Sequence, residues 1–346
     1  MVTIGVDSHK RTHTLVVVDE VGKKLAEKTA ATTAEGHLDV LDWARRWPER
    51  CWALEDCRHL TRRLESDLLA AGEAVVRVPT RLMASERRGD RQRGKSDPID
   101  ALAVARAALR EPDLPVAQLD GPARDIKLLV DHREDLVRER TRIQARLHWH
   151  LHELFPGLVI PAGGLRRQCI IAELEARLVG IEGTVAEITR ELLAANVALT
   201  KRANELERQI TGLVRQLAPS LLELPGCGPL SAAKIVGETA GAARFKSKAS
   251  YARWNGTAPI PVWSGSTSYR LNRGGNRQVN AALHRIAITQ ARGIGPGRAY
   301  IDQRTANGHT RTDAIRALRR RLSDQVFRLL LIDQTQPATT HQQRAA

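Results

Sequence analysis

The chain has 346 residues, with 54 Lys or Arg against 39 Asp or Glu, a formal net charge of +15. At 42% hydrophobic it can bury real cores and is not disordered throughout; at 3% aromatic it is poorly suited to a fold built on base stacking, such as an RNA-recognition sheet. The four cysteines, Cys51, Cys57, Cys169 and Cys227, form no Cys-x-x-Cys pair, so neither a zinc ribbon nor a disulfide framework is expected and a reducing cytoplasm fits best. The opening MVTIGVDSHK lacks an apolar signal core, and the longest apolar runs (residues 15–18 and 329–332) are too short to span a bilayer, so no membrane partner is expected.

In chain order, residues 2–6, 12–18 and 24–32 read as three strands, the first apolar, the second β-branched and the third polar. A helix over 34–47 follows, then a strand in CWALE at 51–55, a helix with leucines at helical spacing over 60–71, and a strand at 74–78. This β-β-β-α-β-α-β order predicts an antiparallel meander running into parallel crossovers, a mixed sheet with helices on both faces. After Pro98, IDALAVARAAL is a strong helix, Ala-rich with one apolar face. Residues 122–218 are rich in Leu, Arg, Glu and Ala with helical periodicity, broken at 156–164; they predict two or three long helices in an antiparallel coiled coil. Gly and Pro then return, marking a compact, mainly helical region to about residue 332, and the polar end reads as a disordered tail. The expected class is α/β plus all-α, with domains at 1–115, 116–218 and 219–334 and a tail at 335–346.

Charge is unevenly spread. Between Arg244 and Arg321 sixteen Lys or Arg face two acids, Asp302 and Asp313, a net +14, and no acid occurs between Glu238 and Asp302. A merely solvated helical face mixes signs, because opposite charges at i, i+4 support it; an acid-free stretch forgoes that support and points to a polyanion partner, DNA or RNA.

Four carboxylates draw attention. Asp7 ends the first strand, Glu55 ends the fourth, and Asp97 and Asp100 stand at i, i+3 at a helix start. If the first and fourth strands lie side by side, all four converge at one sheet edge. An all-oxygen set suits Mg²⁺ or Mn²⁺, and paired ions of this kind serve phosphodiester chemistry. Asp97 read alone is also a helix N-cap ahead of Pro98. Lys95, together with Arg87, Arg88, Arg91 and Arg93 in an expected loop before that helix, is positioned to touch nucleic acid near the metals.

The segments Gly5-Val-Asp7-Ser-His-Lys10, Leu54-Glu55 and Lys95-Ser-Asp97-Pro-Ile-Asp100-Ala resemble the DEDD transposases of bacterial insertion sequences. The resemblance implies a ribonuclease H-like, RuvC-like first domain whose catalytic, metal-holding residues are Asp7, Glu55, Asp97 and Asp100.

Further on, residues 224–236 resemble a helix-hairpin-helix, in which Gly226 and Gly228 let backbone N–H groups approach a phosphate. Next come Trp263-Ser264-Gly265-Ser266 and then Arg270, Arg273, Gly274-Gly275-Asn276 and Arg277. Residue types alone favour a loop that grips phosphate. The family resemblance extends here and implies that a serine before glycine is a nucleophile, which selects Ser264. Trp263 stands where the family usually has another serine, which keeps Ser266 in play. The resemblance further implies guidance by a structured RNA and work as a homo-oligomer, a dimer or tetramer, with one subunit's carboxylates meeting another's serine. Two other readings stay open: a junction-resolving nuclease that uses water, and a non-enzymatic nucleic-acid-binding protein.

Overall fold

The structure, a computed structural model, describes residues 1–89, 96–111, 114, 116–117, 121–264, 266–270, 272 and 274–335. The chain forms two compact units, Met1–Gly121 and Pro122–Ala346.

The first unit is a five-stranded mixed sheet. Its strands are β1 (Val2–Ser8), β2 (Thr12–Val18), β3 (Lys24–Ala31), β4 (Arg50–Glu55) and β5 (Val75–Val78). They lie in the order β3-β2-β1-β4-β5, with β1–β2 and β2–β3 antiparallel and β1–β4 and β4–β5 parallel. This is the mixed sheet expected from the meander-then-crossover order, and the ribonuclease H-like arrangement that the resemblance implies. Helices α1 (Ala34–Ala44), α2 (Arg58–Ala70), α3 (Thr80–Gly89) and α4 (Asp97–Arg110) cover it. On one face Ile4, Val6, Leu15, Val17, Trp52 and Leu54 pack with Val40 and Trp43 of α1 and Leu64 and Leu68 of α2. On the other, Val16, Val18 and Ala53 meet α4 through Ala101, Ala105 and Val104. Both faces of the central strands are therefore dry, each fully buried Leu or Ile contributing roughly 1.5–3 kcal/mol. The outer strand β3 carries exposed Lys24 and Glu27 and half-buried Lys28, charges that discourage edge-to-edge pairing. Arg87 and Arg88, expected in a loop, instead lie in the last turn of α3.

The second unit is mainly helical. Two long helices, α5 (Pro122–Leu154) and α7 (Thr184–Leu217), flank α6 (Gln168–Leu178). Arg133 reaches Glu207 at 2.5 Å, and Gln144 reaches Asn196 at 2.9 Å. Rising numbers on α5 meet falling numbers on α7, so the pair is antiparallel, as the periodicity predicted. One end of the pair has its own core, Leu147 and Leu151 with Leu174 and Leu178 of α6 and Leu193. At the other end Ile126, Val130, Ile210 and Val214 merge with α8 (Pro219–Glu223), α9 (Pro229–Thr239), α10 (Lys248–Trp254), α11 (Arg277–Ala291), α12 (Gly297–Ala306) and α13 (Arg311–Thr335) in a single core. A two-stranded hairpin, β6 (Ile260–Ser264) and β7 (Ser266–Arg270), stands between α10 and α11. Among the described residues no helix is long and apolar enough to cross a membrane.

Candidate functional site

The first site is assembled by the packing of α4 on β1. A Cβ on Gly5 would lie 2.2 Å from the Ala101 carbonyl oxygen and 2.5 Å from the Ala105 amide nitrogen, so only glycine lets α4 lie this close. Side chains alternate along a strand, so Asp7 shares the α4 face with Gly5. The parallel register Gly5↔Ala53, Val6↔Leu54 brings Glu55 to the same end of the sheet and the same face as Asp7. Asp97 is the first residue of α4 and Asp100 stands one turn on, held by helical spacing on that side.

These elements bring Asp7 and Asp97 together around a residue that the sequence reading did not single out. His9, in the turn between β1 and β2, sets its Nε2 3.1 Å from Asp7 Oδ2 and 3.3 Å from Asp97 Oδ1. Ligand atoms of Asp7, His9 and Asp97 all lie within 4.8 Å of one another. Glu55, on the neighbouring strand, and Asp100, further along α4, border this group rather than belong to its tightest part. Asp7 and Asp100 are buried while Asp97 is half exposed, so the site opens outward at the helix start. Burial first, and then the charges of Asp100 and Asp97, push the Asp7 carboxyl above its ordinary range, against an opposing pull from His9. The same field reaches Cys57: burial, then the charge and hydrogen bond of Glu55, and then Asp7, push its thiol up to about 12. A buried carboxyl whose ionisation its surroundings oppose, as at Asp7, is what a bound cation relieves, and hard carboxylate oxygens with one imidazole suit a divalent ion. The N-cap reading of Asp97 does not hold: Ser96 occupies the cap position, and the Asp97 carboxylate reaches His9 instead.

In the second unit the serine segment is a hairpin end rather than a loop. Ser264 closes β6 and pairs with Ser266 at the start of β7, and Arg270 pairs with Ile260 at the stem. Arg277 is exposed on the first residue of α11, whose N-cap Asn276 accepts from the amides of Gln278 and Val279. Gly226 adopts φ +82° in the turn before α9, where a Cβ would sit 3.1 Å from Thr289 Cβ and 3.2 Å from the Ile286 carbonyl oxygen. Packing on α11 thus accounts for that glycine. Gly228, the N-cap of α9, is exposed with open space beside it. Arg91, Arg93, Lys95 and Arg273, expected at nucleic acid, lie outside the described residues, as do residues 336–346 of the expected tail.

Lys234, in the apolar pattern of α9, is a second residue the sequence did not flag. It is 2% exposed and donates to Asp131 Oδ1 and Glu134 Oε2, both at 2.9 Å, tying α9 to α5. Neighbouring Lys127 bonds Asp131 and Glu238, and Glu238 accepts from Asn276, so the start of α11 is tied to the same network.

Known proteins match over both units. A family model described as a transposase of the DEDD_Tnp_IS110 type matches residues 4–156, and one described as "Transposase IS116/IS110/IS902 family" matches residues 218–301. The "Insertion element IS116 uncharacterized 44.8 kDa protein" of Streptomyces clavuligerus is 26% identical over 378 residues, covering 94% of both chains. The IS900 "uncharacterized 42 kDa protein" of Mycobacterium paratuberculosis is 25% identical, again over 94% of both. Among solved structures, Thermus thermophilus RuvC in complex with a Holliday junction substrate is similar over 32% of this chain and 94% of its own, at 20% identity and a TM-score of 0.25. With a DEDD model at one end, a transposase model at the other and relatives aligned nearly end to end, the chain belongs to the IS110/IS116/IS900 family of transposases, enzymes of DNA transposition.

Proposed function

We propose that this transposase cuts and rejoins DNA by two cooperating centres: a Mg²⁺- or Mn²⁺-dependent carboxylate site of Asp7, Glu55, Asp97 and Asp100, and a serine nucleophile, Ser264. The observation that carries the reading is the meeting of Asp7 and Asp97 around His9 Nε2, at 3.1 and 3.3 Å, on the edge that Glu55 and Asp100 border. A DEDD family implies a divalent metal, and these residues fit one. Asp7 and Asp97 would hold it, His9 offers a nitrogen beside them, and Glu55 and Asp100 supply further oxygens. A divalent ion bound there supplies positive charge against the scissile phosphate and its departing oxygen.

The serine centre acts by covalent transfer. The Ser264 Oγ–P bond forms as one P–O ester bond of the strand breaks; the serine hydroxyl gives up a proton and the departing sugar oxygen takes one. Attack by another strand's hydroxyl on the phosphoserine reverses the exchange and regenerates the serine. Guidance by a structured RNA, and assembly as a dimer or tetramer that joins one subunit's carboxylates to another's serine, rest on the family resemblance and on the net +14 between Arg244 and Arg321, which serves RNA as well as DNA. We assign the reaction to three functional segments, 1–115, 116–218 and 219–334, with a tail at 335–346.

The test is adduct trapping. Wild-type protein quenched during reaction with element-end DNA should carry a covalent DNA adduct that Ser264→Ala abolishes and Ser266→Ala retains. Loss of the adduct only in Ser266→Ala would move the nucleophile by two residues. Strand cleavage by Ser264→Ala, with no adduct ever trapped in wild type, would replace the serine mechanism by attack of water.

A further inference from the structure

At the stem of the β6–β7 hairpin, within the second unit, is a cavity of about 530 Å³. Asn255, Asn272, Arg277, Asn280, His284 and Arg319 supply its polar lining, and among the described residues no Asp or Glu lines it. Its form depends on two glycines: a Cβ on Gly275 would lie 2.2 Å from the Gly256 amide nitrogen, so the chain leaving β7 can cross the chain entering β6 only as glycine on glycine.

Arg319 is the informative residue. It is half-buried on α13 and gives one hydrogen bond, from Nη1 to Asn280 Oδ1 at 2.8 Å, a neutral acceptor. Its Nε is buried and has no partner among the described residues, and no described carboxylate pairs with it. Burial, and then the charge of Arg316, lower its pKa. A guanidinium taken out of water without a counter-ion is costly, and the fold tolerates it where a ligand brings the negative charge. Arg277 faces the same space and adds a second guanidinium.

The hairpin above adds a different surface. Trp263 and Tyr269 are 79% and 66% exposed in a chain with only 3% aromatic residues. Trp263 pairs with Thr267 and Pro261 with Tyr269, so by strand alternation the two rings share one face of the hairpin. Exposed rings beside a basic recess are the combination that holds single-stranded nucleic acid, because every base has a face to stack and every nucleotide a phosphate. A duplex keeps its bases stacked inside and has no use for a cavity of this depth. A bare phosphate would leave most of 530 Å³ unfilled and the exposed rings unused.

We propose that this cavity and the aromatic face of the hairpin seat one unpaired nucleotide of a nucleic-acid strand, its phosphate on Arg319 and Arg277 and its base against the rings. The proposal deepens the reading of the chain as a strand-joining enzyme by adding a place where a strand is held open next to the serine segment. It would stand even if the serine were not the nucleophile.

The experiment uses the full chain in chelator, where strand binding is read without cleavage. Single strands of about 15 nucleotides, one DNA carrying 4-thiothymidine and one RNA carrying 4-thiouridine, are compared with fully paired duplexes of the same sequence. Irradiation should attach the single strands within residues 254–284. Arg319→Gln should weaken single-strand binding about tenfold and lower its salt slope by about one, with duplex binding changed less than about twofold. Arg277→Gln, at an exposed position that cannot unfold the core, should weaken single strands in the same selective way, and Arg319→Lys should restore part of the loss. The tighter of the DNA and RNA arms names the strand. Attachment elsewhere in the chain, or equal weakening of single strands and duplex by both variants, would overturn the proposal. A retained adduct defect in Ser264→Ala alongside failed strand attachment would leave the reaction standing and remove only this seat.

Discussion

A side chain on Gly5 would collide with the carbonyl oxygen of Ala101, only 2.2 Å from where its Cβ would be. That one absence lets α4 lie against β1, and it is α4 that brings Asp97 and Asp100 to the end of the strand carrying Asp7. Gly5→Ala should therefore cost about 3 kcal/mol by overpacking and also displace the carboxylates. Thermal unfolding should show the lost stability, and divalent-ion titration a lost rise in Tm. A variant that unfolds earlier yet gains the same metal-induced Tm increment as wild type would show that the site does not depend on this contact.

Asp7→Asn separates stability from chemistry. Burial and the neighbouring acids raise the Asp7 carboxyl, so holding it ionised at neutral pH works against the metal-free fold. In chelator Asp7→Asn should melt at or above the wild-type temperature. With the ion at a hundredfold its Kd, wild type should gain about 2.7 kcal/mol and Asp7→Asn almost none. Strand cleavage should fall by about a thousandfold or more. A metal response in Asp7→Asn equal to that of wild type would remove Asp7 from the site.

His9 should decide which ion is preferred. Its nitrogen lies between two carboxylate oxygens, and nitrogen donors favour Mn²⁺ over Mg²⁺ relative to an all-oxygen set. Pulsed EPR of bound Mn²⁺ should show a nitrogen coupling that His9→Ala lacks, and Mn²⁺ affinity should drop about tenfold in the variant while Mg²⁺ affinity changes less. If wild type shows no nitrogen coupling, His9 is not a ligand.

The first unit should weaken in acid for a separate reason. His13 is fully buried on β2, its Nε2 3.3 Å from that of His37, whose Nδ1 lies 2.5 Å from Asp67. Burial first, and then the charges of His37 and His9, lower the His13 pKa to about 4. The unfolded chain takes up this proton near pH 6.5 and the folded chain only near 4, so stability is full above 6.5 and falls as the pH drops through that window, by about 3 kcal/mol in all. Urea unfolding at pH 7 and pH 5 should show the drop, and His13→Leu should flatten it. An equal slope in the variant would assign the acid sensitivity to other groups.

Much of the site was legible because strand ends and helix starts are local signals. Asp7 and Glu55 end apolar strands, and the β-β-β-α-β-α-β order allows the first and fourth strands to be neighbours, as they are. Asp97 and Asp100 are joined by helical spacing alone. His9 was not legible, because a histidine two residues past a strand end reads as a turn until the packing of α4 brings Asp97 to it. The basic run near residue 87 hid the end of α3, since clustered arginines without an apolar stripe suggest a loop. Pro261 hid β6, because proline argues against a strand interior, and here the strand belongs to a two-stranded hairpin with a free edge. Lys234 counted toward the positive charge, yet the fold buries it between Asp131 and Glu134, where it holds helices together.

Sequence by itself determined the alternation of strands and helices, the long heptad-like pair, the acid-free basic region and the placing of four acids at strand ends and a helix start, because each depends on residue type and spacing within one element. Tertiary structure alone decided that an imidazole stands between Asp7 and Asp97, that a lysine is interior, and that Arg319 lies desolvated beside a hairpin stem. Those facts depend on distances between residues far apart in the chain, which the periodicity of a single element does not encode.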